Sequence, residues 1–182
     1  MQKLRSVLVG IVVLALFLGI FTLFMPRHVT VIRSVMLRAP RDSVQAFLED
    51  LHQWPRWCTW MGTDSAVKRV YSPKEQTVTW FPVGHPENKA FISILQSVPG
   101  DVRLFYQFKN LLPASGGFYL SRQKDSTFLQ WTLEVHLRWY PWEKLSGVAL
   151  DKVWGHSMDE SLRRLKSGVY GEPVPPAEDV AP

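Results

Sequence analysis

From Thr127 to Trp139 the chain alternates without interruption. Leu129, Trp131, Leu133, Val135, Leu137 and Trp139 fall on one side, while Gln130, Thr132, Glu134, His136 and Arg138 fall on the other. Successive side chains of a strand point to opposite faces, so this pattern is a strand with one dry face and one wet face. A greasy strand face of that length cannot stand alone. It commits the chain to a sheet whose dry side another layer must cover.

The preceding residues supply the rest of that sheet. Val29 to Arg38 reads as a first strand, with Val29, Val31, Val35 and Leu37 on one face. Further strands are expected at Val67–Tyr71, Thr77–Phe81, Ala90–Val98, Val102–Phe108 and Gly117–Lys124. Between them lie Ser72-Pro73, Pro82 to Asn88, Pro99-Gly100-Asp101 and Leu112 to Gly116, all turn or loop chemistry. Joints this short imply an antiparallel meander. Two helical pieces separate the first strand from the second. Ala39-Pro40 opens one, and Val44, Phe47, Leu48 and Leu51 give it a single apolar side. Trp54, Trp57 and Trp60 recur at every third residue on a second short helix or turn.

After Pro141 a long helix runs to about Val169, with Leu150, Val153, Trp154, Met158, Ser161, Leu162 and Leu165 along one broad face. Gly147 and Gly155 interrupt it, and each marks a bend or a close packing contact. The expected fold is α+β: a curved antiparallel sheet of about seven strands, two short helices and a long C-terminal helix laid across the dry face.

Ahead of this domain, Val7 to Met25 form nineteen residues without a charge. As a helix they would measure about 28 Å, close to the hydrocarbon thickness of a bilayer. A cleaved secretory signal is the competing reading, and a buried core helix is a third. The signal reading needs a shorter apolar stretch and a small-residue cleavage site, whereas Phe21, Leu23, Phe24, Met25, Pro26 and Arg27 stand there. The expected organisation is a basic N-terminus (1–6), a transmembrane anchor (7–25) and a short joint (26–28). The folded domain (29–169) and a disordered Pro-rich tail (170–182) follow. A three-residue joint spans only about 10 Å, so the domain would work beside lipid. Basic residues flank both ends of the run. A short basic segment retained inside favours an extracytoplasmic, periplasmic-side domain on a single-pass anchor.

Cys58 is the only cysteine, which excludes an internal disulfide and any multi-cysteine metal site. The net charge of +5 is dispersed, with no basic stripe or recognition motif, so nucleic acid is not an expected partner. No His/Cys/Asp/Glu cluster has metal-ligand spacing, and no cofactor motif is present.

Several stretches, taken in order, resemble the START/polyketide-cyclase-like superfamily (SRPBCC), which has membrane-anchored bacterial members. They are Val31 to Ser34, Ala39-Pro40, Val44 to Leu48, Leu51 to Trp57, and Ser161-Leu162 through Leu165-Lys166. The resemblance covers roughly residues 29–168. It implies a helix-grip fold with an elongated apolar cavity between sheet and long helix, but no single reaction.

The expected cavity wall is Leu129, Trp131, Leu133, Val135 and Leu137 of the last strand, with Trp154, Met158 and Leu162 of the helix. Such a wall suits a hydrophobic small molecule or lipid. Trp54, Trp57, Trp60, Trp139 and Trp142 are the expected cavity mouth, because indole rings favour the membrane–water boundary. No catalytic residue is assigned, since the inward positions of the last strand carry no titratable group. Glu134 with His136 reads as solvated surface, as do His85 and His156. A cyclase- or dehydrase-type enzyme would need an inward acid, His or Tyr, with Tyr106 and Tyr119 the positions to inspect. A non-catalytic protein-interaction module is the remaining alternative, and the sequence identifies no protein partner.

Overall fold

A computed structural model describes residues 28–62, 66–72, 76–109, 111–137 and 141–170, with scattered positions between 5 and 19; of 141–150 it describes the backbone. The expected anchor, Val7 to Met25, and the tail beyond Tyr170 therefore lie largely outside the described residues. Among the described residues no helix is long and apolar enough to cross a membrane.

The strands are β1 (His28–Leu37), β2 (Val67–Ser72), β3 (Thr77–Pro82), β4 (Ala90–Val98), β5 (Asp101–Gln107), β6 (Ala114–Gln123) and β7 (Ser126–His136). Helices α1 (Arg41–Glu49) and α2 (Trp54–Trp57) follow β1, and α3 (Pro141–Val169) closes the order. One seven-stranded antiparallel sheet results, in the order β1-β7-β6-β5-β4-β3-β2. Only the β1–β7 pair joins strands distant in sequence. Its register runs from His28 opposite His136 to Leu37 opposite Thr127. That register matches the two dry faces, with Val31 opposite Leu133 and Val35 opposite Leu129.

Gly116, expected in a turn, and Gly117, expected to open a strand, both lie inside β6, opposite Leu133 and Thr132 of β7. A Cβ on Gly116 would stand 2.0 Å from the Thr132 carbonyl oxygen, and one on Gly117 would stand 2.1 Å from that of Val102. Both flanking strands press against β6 here, so hydrogen is the only side chain that fits. Gly155 is a close packing contact, as expected. A Cβ there would lie 2.0 Å from Arg33 Nη2, so the guanidinium rests on the bare backbone of α3. Arg33 also reaches Asp159 at 3.1 Å and Asp151 at 3.4 Å, one helical turn to either side of Gly155. This pins α3 to the edge strand β1.

The α3 face is narrower than its sequence pattern indicates. Trp154, Met158, Ser161, Leu162 and Leu165 are buried, whereas Val153 faces solvent. About three turns further on, Arg164 is buried, and its Nε donates to Glu160 at 2.8 Å. The short turn Thr59–Met61 is stitched to the same helix. Thr59 N–H donates to Ser161 Oγ at 3.1 Å, and Thr59 Oγ1 donates to the Ser157 carbonyl at 3.2 Å.

Helix α1 caps one end of the grip. Val44 and Leu48 have no accessible surface, and Gln45 ties the helix to the β4–β5 turn. Its amide donates to the Val98 carbonyl at 3.0 Å and its oxygen accepts from Gly100 N–H at 2.9 Å. The other end carries the start of β1, the end of β7 and the first turn of α3, and among the described residues no α-helix caps it.

Candidate ligand site

The inward residues of β3 to β7 and the underside of α3 enclose a continuous aromatic cluster. Trp54 and Trp57 lie 4.9 Å apart between ring centroids, and Trp57 meets Trp131 at 5.8 Å. Trp60 meets Trp131 at 4.9 Å, Phe108 at 5.4 Å and Trp154 at 5.8 Å. Trp80 joins through Phe108 at 6.1 Å. Offset and edge-on pairs of this kind each contribute about 1 kcal/mol beyond area burial.

This packing fixes where a guest can and cannot sit. Leu129, Trp131, Leu133 and Met158 have no surface that even a water molecule could touch, and Leu162 has almost none. The cavity expected along the whole of β7 therefore does not reach them: indole and phenyl rings occupy that volume. Trp54 and Trp57 were expected at a mouth, yet both are sealed in the core. A four-residue helix pressed flat on a sheet has no outer side left for them. Trp54 Nε1 instead donates to the Leu48 carbonyl at 2.8 Å. Trp139 lies outside the described residues; Trp142 belongs to the first turn of α3, at the uncapped end.

Some accessibility remains at that uncapped end, as it does beside α1, where Leu51 is 8% exposed and Phe47 and Tyr71 are partly buried. Leu137 and Trp154 are 8% exposed, Trp80 and Ala90 7%, and Val135 4%. Trp60, Phe108 and Leu112 are only partly buried against them. Register places these residues together: Trp80 pairs with Ala90, and Phe108 follows Gln107, which pairs with Phe91. The accessible wall is thus aromatic and belongs as much to β3–β5 as to β7. Of these, Trp80, Ala90, Phe108 and Leu112 were not singled out from sequence; the period-two pattern of their strands was the available signal.

A charged side chain of β2 also shares the inward face. Arg69 of β2 pairs with Trp80, and its Nη2 donates to the carbonyls of Met61 and Gly62, at 3.2 Å for Met61. These bonds satisfy the carbonyl end of the 3-10 turn. Its Nε is buried without a partner, as is Trp57 Nε1.

Tyr106 is wholly buried, its hydroxyl oxygen accepting from Trp131 Nε1 at 3.0 Å. Burial pushes this phenol far above its ordinary range, so the group is an inert hydrogen-bond partner at neutral pH. Tyr119 lies on the outer face of β6, 55% exposed. His136 and Glu134 also sit on the outer face, 3.7 Å apart and solvated. His85 bonds Glu87 at 3.0 Å in the β3–β4 loop. Among the described residues no three metal-ligating side chains gather.

Two open clefts lie outside the grip. One, about 360 Å³, runs along α1 past Arg41, Gln45, Glu49 and Pro99. The other, about 190 Å³, lies between the end of α1 and the β2–β3 turn, where His52 stacks on Tyr71 at 3.9 Å. The carboxylates lining both are already engaged. Glu49 accepts from Gln45 and Ser97, and Asp50 accepts from the His52 backbone and from Gln53.

No family model matches the chain, and no curated protein does. Solved structures do. A START superfamily protein from Mycobacterium smegmatis superposes with a TM-score of 0.57 at 14% identity, over 79% of this chain and 98% of that one. CalU16 from Micromonospora echinospora gives 0.58 at 20% identity, over 84% and 73%. The di-domain ARO/CYC StfQ from the steffimycin biosynthetic pathway gives 0.60 at 11%, over 79% and 51%. At these identities the likeness concerns fold alone, and the chain has the helix-grip fold of START and polyketide-cyclase-like structures.

Proposed function

We propose that this chain is a membrane-tethered domain that binds a hydrophobic small molecule or lipid at the uncapped end of its grip. The observation that carries this reading is the partly open aromatic wall of Trp60, Trp80, Phe108, Leu137 and Trp154 at that end, beside a centre of β7 with no accessible surface. A ligand lying on that wall would gain about 25 cal/mol for each Å² of apolar surface removed from water. The apolar run Val7 to Met25, read as an uncleaved single-pass anchor, would hold the site beside its ligand's source. The domain would stand on the extracytoplasmic, periplasmic side.

The test is chemical. Residues 28–182 would be purified without detergent, extracted with organic solvent and examined by mass spectrometry. One apolar compound in near-stoichiometric amount is expected, and Phe108→Asp should deplete it. Repeated preparations that carry nothing, and a domain that takes up no fluorescent fatty probe, would sink the proposal.

A protein-interaction module is the second reading, favoured by the ring-filled centre of the grip. It predicts the same empty extract, with Phe108→Asp leaving a partner's affinity intact.

A further inference from the structure

We propose that the domain docks end-on against an anionic lipid bilayer, seating the tips of the β3–β4 and β5–β6 loops in the headgroup layer. This rests on the reading of Val7 to Met25 as a membrane anchor and adds to it the face that meets the lipid.

Register supplies the geometry. β1 begins at His28 opposite His136, the last residue of β7, and the apolar run ends at Met25, with only two residues between. The same end of the sheet holds the end of β3, the start of β4, the end of β5 and the start of β6. The chain thus leaves for its apolar run from the uncapped, aromatic end of the grip. Helix α1 closes the opposite end.

The loops at this end carry what a lipid surface recognises. Val83 is 64% exposed at the tip between β3 and β4, and Leu111 is 45% exposed between β5 and β6. Each is a large apolar side chain that gains nothing from water. Lys89 and Lys109 stand exposed beside them. The nearby acid is Glu87, whose carboxyl is held below its ordinary range by its own backbone N–H, by His85 and by Lys109. The end of β3 and start of β4, and the end of β5 and start of β6, lie side by side in the sheet, so the two tips share one rim. Two lysines against one ionised glutamate leave the rim a net positive charge, which suits an anionic surface. A joint of two residues, Pro26 and Arg27, leaves the rim little distance to travel.

The experiment uses the full chain in vesicles containing phosphatidylserine. Val83→Cys and Leu111→Cys would each carry an environment-sensitive fluorophore, with Asp125→Cys in the β6–β7 turn as the far-end reference. Cys58, buried in the core, stays unlabelled. Nitroxide-bearing lipids should quench the probes at 83 and 111 several-fold more than the probe at 125. Lys89→Glu with Lys109→Glu should reduce that quenching in anionic vesicles and leave it unchanged in zwitterionic ones. Vesicles that float with the protein but quench all three sites alike overturn end-on docking while the anchor stands. Protein that does not float with vesicles overturns both.

Discussion

Replacing Gly116 with alanine probes the tightest constraint in the sheet. The new methyl carbon would lie 2.0 Å from the Thr132 carbonyl oxygen, 2.9 Å from its carbon and 3.1 Å from Leu133 Cα. An unstrained carbon–oxygen contact needs about 3.3 Å, so β6 and β7 would separate by about 1.3 Å. A ladder bond of about 2.9 Å does not survive that displacement. Losing two such bonds removes about 2 kcal/mol, and the overpacking strain adds about 1–3 kcal/mol. The expected destabilisation is therefore about 3–5 kcal/mol, a large share of the roughly 5–15 kcal/mol that holds an ordinary domain together. Urea unfolding followed by tryptophan fluorescence reads it directly. Gly168→Ala is the matched control, because its Cβ would meet only Phe47 Cζ at 3.7 Å. There alanine should stabilise by up to about 1 kcal/mol through helix propensity. A Gly116→Ala protein within about 1 kcal/mol of the parent would refute the argument that β6 is clamped between its neighbours.

Three further outcomes follow from buried groups. Burial pushes the Cys58 thiol up to about 12, only partly offset by the backbone N–H groups of Trp60 and Met61; a disulfide reagent at pH 8 should leave the folded chain untouched and react once urea unfolds it. Tyr106→Phe deletes one hydroxyl and strands the Trp131 indole N–H, which should lower unfolding stability by about 1–3 kcal/mol with little change in the far-ultraviolet spectrum. For Glu160, burial pushes the carboxyl upward, but the guanidinium groups of Arg164 and Arg163 more than reverse this and hold it below its ordinary range. A depressed folded value stabilises above the unfolded pKa near ~4.3 and fades as pH falls through the folded one. The stability gap between the parent and Glu160→Gln should therefore be widest near neutrality and close on acidification; a gap independent of pH would contradict it.

Much of the architecture was legible because its periodicities are strong. The alternation of Leu129 to Leu137 fixes which side of β7 is dry, and all five inward residues are buried. Arg33 obeys the same parity between Val31 and Val35, yet a charge on a dry face reads as noise without its partner. Its signal was split between elements: Gly155 flanked by Asp151 and Asp159 at one-turn intervals on α3. Glycine misled at 116 because one residue type serves both turns and close strand approaches, and nothing in Leu112 to Gly116 separates the two. The expected cavity failed along most of β7 for a physical reason that sequence does not encode. Patterning tells which side chains face inward, whereas the space left between them depends on how Trp54, Trp57 and Trp60 fold over the sheet. The uncapped end escaped notice because its wall draws single residues from several strands.

The seat of Arg33 on Gly155 also limits how the grip could ever loosen. Sliding α3 by one turn along β1 would break one of the two aspartate pairs of Arg33 and force its guanidinium off the backbone of Gly155. The arginine and glycine together favour one axial setting of the helix. A swing of the helix about that contact would disturb the arrangement less than a slide along the strand. Because β1 is also the strand that continues toward the apolar run, a tug along that strand would be felt at the pivot.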